Sequence, residues 1–255
     1  MIKNFVRKYL LITAVAALVV VGSVAYASHS WGSYHWARTS NPFTLKLGDN
    51  VSSQWDSHLA TASYDWSLSS VLDTVVVPGQ SRKNCRATLG QVEVCNSKYG
   101  NNGWLGIAQI WVSGDHIVQG VVKMNDTYFN TAKYNTPSWR SLVVCQEIAH
   151  TMGLDHQDEI FDNPNLGTCM DYTSNPLGNE HPNLHDYEEL EAIYAHLDTT
   201  TTVSAASVSR GANPDLSEPG EWGKEVRNGG DNHPSLYARD LGNGQKVFTF
   251  VIWAE

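Results

Sequence analysis

Apolar and polar residues follow two patterns along this chain, one typical of helices and one typical of strands. Apolar positions recur at helical spacing over residues 50–66 and 185–197, and a dense apolar run over residues 141–152 predicts a helix buried nearly all round. Short runs rich in β-branched and aromatic residues predict strands. The predicted strands cover residues 34–38, 73–77, 91–95, 106–112 and 117–124.

The last part of the chain differs in composition from the rest. Residues 199–220 are rich in Thr, Ser and Ala, which is typical of a linker. Beyond it, residues 236–240 and 246–253 flank a Gly-Asn-Gly sequence, which predicts a β-hairpin. A lone hairpin is marginally stable in water, so residues 221–255 are expected to pack on the main domain, residues 28–198, or on a partner.

Residues 1–27 are typical of a secretory signal peptide. A basic start precedes an apolar core, residues 10–22, that is too short for a comfortable membrane span. Residues 25–27, Ala-Tyr-Ala, form a small-x-small cleavage site. The alternative is an uncleaved N-terminal anchor. Cleavage predicts a secreted, extracellular protein with no stable membrane insertion.

The net charge of the chain bears on whether it binds nucleic acid. The whole chain carries a net charge of −9 at pH 7, and loss of residues 1–27, which hold three basic and no acidic residues, takes it to −12. No basic stripe remains, which argues against nucleic acid as a partner. A hydrophobic content of 42% and nine tryptophans are enough for a sizeable core.

The stretch from residue 141 to residue 156 holds the candidate chemistry. Gln146 and His150 are four residues apart, so a helix places both side chains on one face. Gly153 is expected to end the helix, because glycine accepts the left-handed conformation, and the chain then turns back with His156. Two imidazoles, a third ligand and an open fourth position describe a catalytic zinc site. Glu147 would act there as general base towards a zinc-activated water.

This stretch resembles the metzincin metalloprotease signature, HExxHxxGxxH. Glu147, His150, Gly153 and His156 match it, and Gln146 stands where the signature has its first histidine. A glutamine oxygen can ligate zinc, although it is a harder and weaker donor than imidazole. The resemblance implies that Gln146, His150 and His156 bind Zn²⁺ and that Glu147 is catalytic.

A second match lies at Met170. Metzincins have a methionine turn beneath the zinc, and the resemblance implies that role for Met170. In the astacin-like and serralysin-like families, a tyrosine two residues beyond the methionine approaches the metal. Tyr172 occupies that position, which implies a role as an extra ligand or as a group that stabilises the oxyanion. The rest of the chain looks more like the matrixins.

The resemblance also implies the fold and the activity. The fold is expected to be α+β, a metzincin-like domain with a mixed twisted sheet, an active-site helix and a C-terminal helix, followed by the β-hairpin. The implied function is that of a secreted zinc endopeptidase acting on a protein or peptide. By analogy the 106–112 strand pairs with extended substrate, and the equal alternative is an ordinary sheet strand. The cysteine switch that keeps matrixins latent is absent, so latency would come from elsewhere or not exist.

A rival hypothesis keeps the scaffold and removes the activity. A metzincin fold with a weakened site would act as an extracellular binding module. The substitution at Gln146 supports this hypothesis, whereas the retention of Glu147 speaks against it.

Four cysteines suit an exported protein, and they allow three pairings. Cys85 and Cys95 flank a short segment that could form a loop or hairpin. The resemblance brings Cys145 and Cys169 close together beneath the active site. It therefore implies the disulfides Cys85–Cys95 and Cys145–Cys169.

Other candidate ligands have simpler interpretations beside the chemical one. His116 is a structural-zinc ligand by resemblance to the matrixins, or a solvent-exposed turn histidine. Asn125, Asp126 and the acidic run at residues 155–164 could supply oxygen ligands to Ca²⁺, or could form solvated loops. Three further histidines are most simply surface residues: His181, His185 and His196.

Overall fold

The computed structural model describes residues 28–80, 84–204, 213–228 and 234–254, so the predicted signal peptide lies outside the described residues. The strands are β1 (His35–Trp36), β2 (Phe43–Asn50), β3 (Leu72–Pro78), β4 (Val92–Ser97), β5 (Trp104–Ser113), β6 (His116–Asn125), β7 (Lys224–Asn228), β8 (Pro234–Gly242) and β9 (Gln245–Trp253). The helices are α1 (Asp56–Trp66), α2 (Asp126–Phe129), α3 (Pro137–His150) and α4 (Leu184–Ile193), with a 3-10 turn at Pro219–Glu221. Within those ranges, no helix has the length and apolar character needed to cross a bilayer.

All the strands of the described ranges join one mixed sheet. Its order is β3-β2-β4-β6-β5-β9-β8-β7, and β1 pairs with the beginning of β6. Strands β3, β2, β4 and β6 run parallel to one another, whereas β5 runs antiparallel to both β6 and β9. The predicted α+β class is therefore correct, and the predicted hairpin extends the same sheet.

The largest error of the sequence prediction lies before α1. The segment Phe43–Asn50 forms β2, which was not predicted, and the helix begins at Asp56 instead of residue 50. Buried Phe43, Leu45 and Leu47 alternate there with exposed residues, which is the two-residue period of a strand. Val51 and Trp55 pack in or against the core from outside the helix, so their helical spacing was misleading.

Two apolar clusters lie on opposite faces of the sheet. The larger cluster includes α1, α3 and alternate residues of β5 and β9, such as Ile110 and Phe250. The other includes Leu216 and Trp222, which come from the described part of the predicted linker and from the residues just after it. Gln109 of β5 donates a hydrogen bond to the Leu216 carbonyl at 2.7 Å, so this segment packs on the sheet. Both faces of β5 are therefore covered.

Both predicted disulfides are present. Cys85 pairs with Cys95, and Cys145 pairs with Cys169, with Cα–Cα distances of 6.1 and 6.0 Å. The second disulfide joins α3, one residue before Gln146, to the loop that holds Met170. It thus connects the two parts of the predicted zinc site covalently.

Candidate active site

Helix α3 carries three of the predicted site residues, and its ends are well defined. Thr136 caps the beginning, since its hydroxyl accepts a hydrogen bond from Trp139 N at 3.3 Å. At the other end Gly153 has a φ of +104°, and a Cβ there would lie 2.8 Å from the Tyr34 carbonyl oxygen. Only glycine fits both requirements, so this position ends the helical segment as expected.

Aromatic side chains fix the C-terminal end of α3. The last carbonyls of a helix have no partner within it, and here three aromatic groups donate to carbonyls at or just after the end of the helix. They are Trp31 Nε1 to His150 O at 3.0 Å, Trp36 Nε1 to Thr151 O at 2.8 Å, and Tyr194 Oη to Met152 O at 2.8 Å. These bonds fix the position of the backbone at His150 and in the two residues that follow it.

The imidazoles of His150 and His156 face each other with their Nε2 atoms 3.0 Å apart. His150 Nδ1 lies 2.9 Å from the Leu154 carbonyl, and His156 Nδ1 lies 2.8 Å from Glu159 Oε1. Both of these partners can only accept, so we assign the ring proton to Nδ1 in each histidine. The two Nε2 lone pairs then point at each other, an arrangement that a shared cation relieves. Carbonyl and carboxylate partners of this kind also orient metal-binding histidines.

Gln146 and Glu147 are buried without hydrogen-bond partners. Among the described residues, both side-chain amide atoms of Gln146 lack a hydrogen-bond partner, and so does Oε2 of Glu147. The exposed fractions are 0% for Gln146, 1% for Glu147, 1% for His150 and 8% for His156. An unpaired buried polar group costs roughly 1–3 kcal/mol, so three such atoms in the helical turn before His150 are candidate partners for a metal ion and its water. This donor set fits a zinc ion, with nitrogen from imidazole and oxygen from the amide.

Burial shifts the pKa values of Glu147 and His150. It raises the pKa of Glu147 well above its usual value. Burial, followed by the neighbouring His156, holds the pKa of His150 well below its usual value. The lowered pKa favours the neutral imidazole of His150, which is the form that binds metal.

The hydroxyl of Tyr172 is already engaged in the structure. It donates a hydrogen bond to the Val251 carbonyl of β9 at 2.9 Å, and its ring lies 4.2 Å from that of His156. Met170 is fully buried, and its carbonyl accepts a hydrogen bond from Gln157 N at 2.7 Å. The structure thus brings Tyr172 beside the histidines, with its hydroxyl turned to the C-terminal strand.

Strand β9 covers this site. It pairs with β5 over nine register positions, from Trp104 opposite Trp253 to Ser113 opposite Gln245. The ring of Phe250 stacks on His150 with centroids 4.1 Å apart and an angle of 11° between the planes. Gly106 of β5 allows the close approach, since a Cβ there would lie 2.8 Å from Glu147 Oε1 and 3.1 Å from Ile252 Cγ2. The predicted substrate strand is therefore paired along its length with the chain's own C-terminal strand.

An arginine of β7 links the same C-terminal region to the loop of His156. Arg227 forms a two-pronged ion pair with Asp155 and a second ion pair with Glu159, at 3.1 Å. Glu159 is also the partner of His156 Nδ1. Burial opposes ionisation of Asp155, but the hydrogen bonds from Arg227 outweigh it and lower the pKa of Asp155. The C-terminal strands thus contact the site through the ring of Phe250, the carbonyl of Val251 and the guanidinium of Arg227.

Sequence reasoning did not identify Phe250, Arg227 or Glu159 as neighbours of the site. One signal was available for β9, because residues 247–252 contain five apolar side chains on both faces of the strand. A hairpin with one face in water alternates apolar and polar residues. This strand had to be covered on both sides.

A cavity of about 1030 Å³ lies beside the site and does not open into it. It lies between the N-terminal segment and the C-terminal strands and is lined by residues that include Trp31, Tyr34, Arg227 and Phe248. Asp155 contributes to its wall, whereas Gln146, Glu147, His150 and His156 do not. Because Gln146, Glu147 and His150 are at most 1% exposed and Phe250 of β9 lies on His150, we expect access to these groups to require a movement of β9.

Several of the oxygen atoms proposed for calcium accept hydrogen bonds from the protein itself. Asp126 accepts hydrogen bonds from Trp55 and Asn96. Asp158 accepts hydrogen bonds from the Ile160 amide and from Asn163, at 2.5 and 2.8 Å. The structure gives no support for a calcium site in these segments.

Comparison with known proteins gives similarities to solved structures and no match in sequence. No family model matches the chain, and no curated protein matches it. Among solved structures the chain is similar to myroilysin, with 11% identity over 63% of this chain and 86% of that chain, at a TM-score of 0.35. It is also similar to high choriolytic enzyme 1, a hatching enzyme zinc-protease from the medaka fish Oryzias latipes. That similarity has 12% identity over 65% of this chain and 96% of that chain, at a TM-score of 0.36.

Proposed function

We propose that this protein is a zinc-dependent endopeptidase of the metzincin type, held latent by its own C-terminal strand. One observation carries the proposal. The Nε2 atoms of His150 and His156 lie 3.0 Å apart, and Gln146 and Glu147, in the helical turn before His150, are buried with side-chain atoms that lack hydrogen-bond partners. Disulfides and the predicted signal peptide support export of the protein.

The residues have separate tasks in this proposal. Gln146, through its side-chain oxygen, would hold the zinc together with His150 and His156. Zinc, when bound, acidifies a water molecule and polarises the peptide carbonyl. Glu147 takes the proton from the attacking water and delivers it to the leaving nitrogen as the C–N bond breaks. Tyr172, once released from Val251, donates to the carbonyl oxygen as negative charge develops.

The substrate in this proposal is an extended peptide that takes the position of β9. The backbone edge of β5 is already shaped to pair with an antiparallel strand over nine positions. A peptide bound there would gain the same ladder of hydrogen bonds by β-augmentation. The proposed substrate class is therefore unfolded protein or flexible peptide.

Zinc content tests the metal site directly. After dialysis against metal-free buffer, wild-type protein should retain one zinc equivalent more than the His150→Ala variant, as measured by elemental analysis. His181→Ala is the matched control, because the side chain of this histidine is 61% exposed and bonds to Asp65. Equal zinc content in folded wild-type and His150→Ala protein would refute the site.

The side chain at position 146 gives a second test. Gln146→His should bind zinc more tightly, by roughly tenfold or more, because imidazole is the stronger ligand for zinc. The dissociation constant, measured by competition with a chelator, reports the change. An unchanged affinity would show that position 146 is not a ligand.

A second candidate function is a binding scaffold without activity. It is favoured by two observations, the glutamine at position 146 and the cover of β9 over the site. In that case displacement of β9 should expose an edge that binds peptides without cleaving them. The two candidate functions differ in whether a bound peptide is cleaved, which mass spectrometry measures.

A further inference from the structure

A second group of histidines lies well away from the candidate active site. His35 is in β1 and His116 is the first residue of β6, and the two are register partners in the parallel pairing of these strands. His196 and Asp198 follow α4. The chain after α4 returns along β1, since Asp198 N donates to the Arg38 carbonyl and Thr202 N donates to the Ala37 carbonyl, both at 2.9 Å. Three separate parts of the chain therefore meet at this cluster.

Three side-chain atoms of the cluster form a triangle. His35 Nε2 and His196 Nε2 are 3.1 Å apart, and they lie 3.4 and 3.8 Å from Asp198 Oδ1. A tetrahedral zinc ion with bonds of about 2.0–2.1 Å needs its ligand atoms about 3.3 Å apart. The triangle therefore has the dimensions of one face of a zinc coordination tetrahedron.

The hydrogen bonds around His35 leave its Nε2 free for a metal. Its Nδ1 lies 2.7 Å from the Ser33 carbonyl, which can only accept, so the proton of the neutral ring is on Nδ1. The Nε2 lone pair then faces a carboxylate oxygen. Such a contact is unfavourable unless a cation joins the two acceptors, or a second proton makes the ring an imidazolium.

The second oxygen of Asp198 is held separately. Arg38 Nη1 donates to Oδ2 at 2.9 Å, and the Arg38 amide donates to the same oxygen at 3.1 Å. His116 Nε2 lies 3.3 Å from Oδ1, within reach for a supporting hydrogen bond. The carboxylate is thus fixed in direction, with Oδ1 turned to His35 and His196. Fixed carboxylates of this kind are typical partners in metal sites.

The cluster is open on one side. The side chain of His196 is 54% exposed and that of His35 is 8% exposed. A cavity of about 500 Å³ reaches both histidines and is also lined by Ser33 and Asp115. A metal ion could enter from this cavity, and a water molecule could complete its coordination there.

We propose that His35, His196 and Asp198 form a second metal site, which takes Zn²⁺ or a similar divalent transition metal. His116 is a positioning residue that holds the carboxylate. Imidazole and carboxylate are suitable ligands for zinc. The site ties β1 and β6 to the segment after α4, so its role is to fix the N-terminal part of the domain to its last helix. It is independent of the zinc proposed at His150.

Metal stoichiometry tests this site. Purified full-length protein should lose one zinc equivalent in the His196→Ala variant, and its remaining affinity at this site should fall by more than about 100-fold, since outer partners alone account for 10–100-fold. Because the His196 side chain is 54% exposed, the variant should fold as the wild type does, and circular dichroism checks this. His181→Ala, another exposed histidine, should lose no zinc.

Two further measurements separate this site from the candidate active site and from a simple ion pair. In a His150→Ala background, one equivalent of Co²⁺ should still bind with the visible absorption of tetrahedral cobalt, and adding His196→Ala should abolish it. His116→Ala should weaken binding by about 10-fold or more and keep the stoichiometry. Equal metal content and equal affinity with and without His196→Ala would overturn the proposal.

Discussion

Replacing Glu147 with glutamine should lower kcat/KM for peptide cleavage by about 10²–10⁴-fold, the range that a general acid–base group contributes. Glutamine has nearly the same shape as glutamate and cannot accept the proton of the attacking water. The measurement is the cleavage of an unfolded protein, made on chain that has been cut between β8 and β9, because β9 covers the site in the intact chain.

The control for this prediction separates catalysis from folding and from metal binding. Zinc content should be the same in wild type and Glu147→Gln, because Glu147 is not among the three proposed ligands. Glu191→Gln is a matched variant, since this carboxylate lies far along the chain in α4 and bonds to Ser70. It should leave the rate unchanged. Equal cleavage by wild type and Glu147→Gln would remove the catalytic role of this residue.

The candidate site could be predicted from the sequence because its main parts are local. Gln146, Glu147 and His150 lie within five residues of one helix, and Gly153 ends the segment that precedes His156. Helix geometry alone therefore brings most of the ligands together. The disulfide between Cys145 and Cys169 required the resemblance, because nothing in the spacing excludes the other pairings.

The parts that the sequence did not predict depend on contacts across long separations. The side chains of Gln109 and Thr249 meet in the sheet although they are 140 residues apart. An apolar run shows that residues 246–253 form a strand, but it does not show which edge the strand will join. The contacts of Phe250 and Arg227 with the site follow from that choice of edge.

The histidine cluster at Asp198 also depends on contacts between distant parts of the sequence. His196 was interpreted as a surface residue, and by exposure it is one. Its neighbour His35 lies far away in the sequence, and the two rings meet only because α4 ends beside β1. A short motif can reveal ligands on one helix, whereas ligands from three segments need the fold.

Release of β9 should raise the rate of peptide cleavage by about 10³-fold or more over the intact chain. Five apolar side chains of β9 are buried: Val247, Phe248, Phe250, Val251 and Ile252. Exposing each costs roughly 1.5–3 kcal/mol, and about 4 kcal/mol already corresponds to a factor of 10³. Spontaneous opening of the intact chain is therefore rare, and most of the protein is closed at any moment.

A protease site inserted at Asn243, in the turn between β8 and β9, allows the strand to be cut free without shortening the chain beforehand. Phe250→Ala is combined with the cut, because losing the ring on His150 weakens retention of the strand by about 3–5 kcal/mol. Cleavage of an unfolded protein is then followed in the cut and intact forms, and native mass spectrometry reports whether residues 245–255 have left.

Cleavage activity should fall again when β9 is supplied as a separate peptide. A synthetic peptide with the sequence of residues 245–255, added in excess, should suppress cleavage because it pairs again with β5. A chain cut instead at Leu177, an exposed residue outside the sheet, keeps β9 attached and should stay inactive. If β9 has left and the protein still cleaves nothing, the strand is not what blocks activity. The hypothesis of a binding scaffold would then replace that of a latent protease.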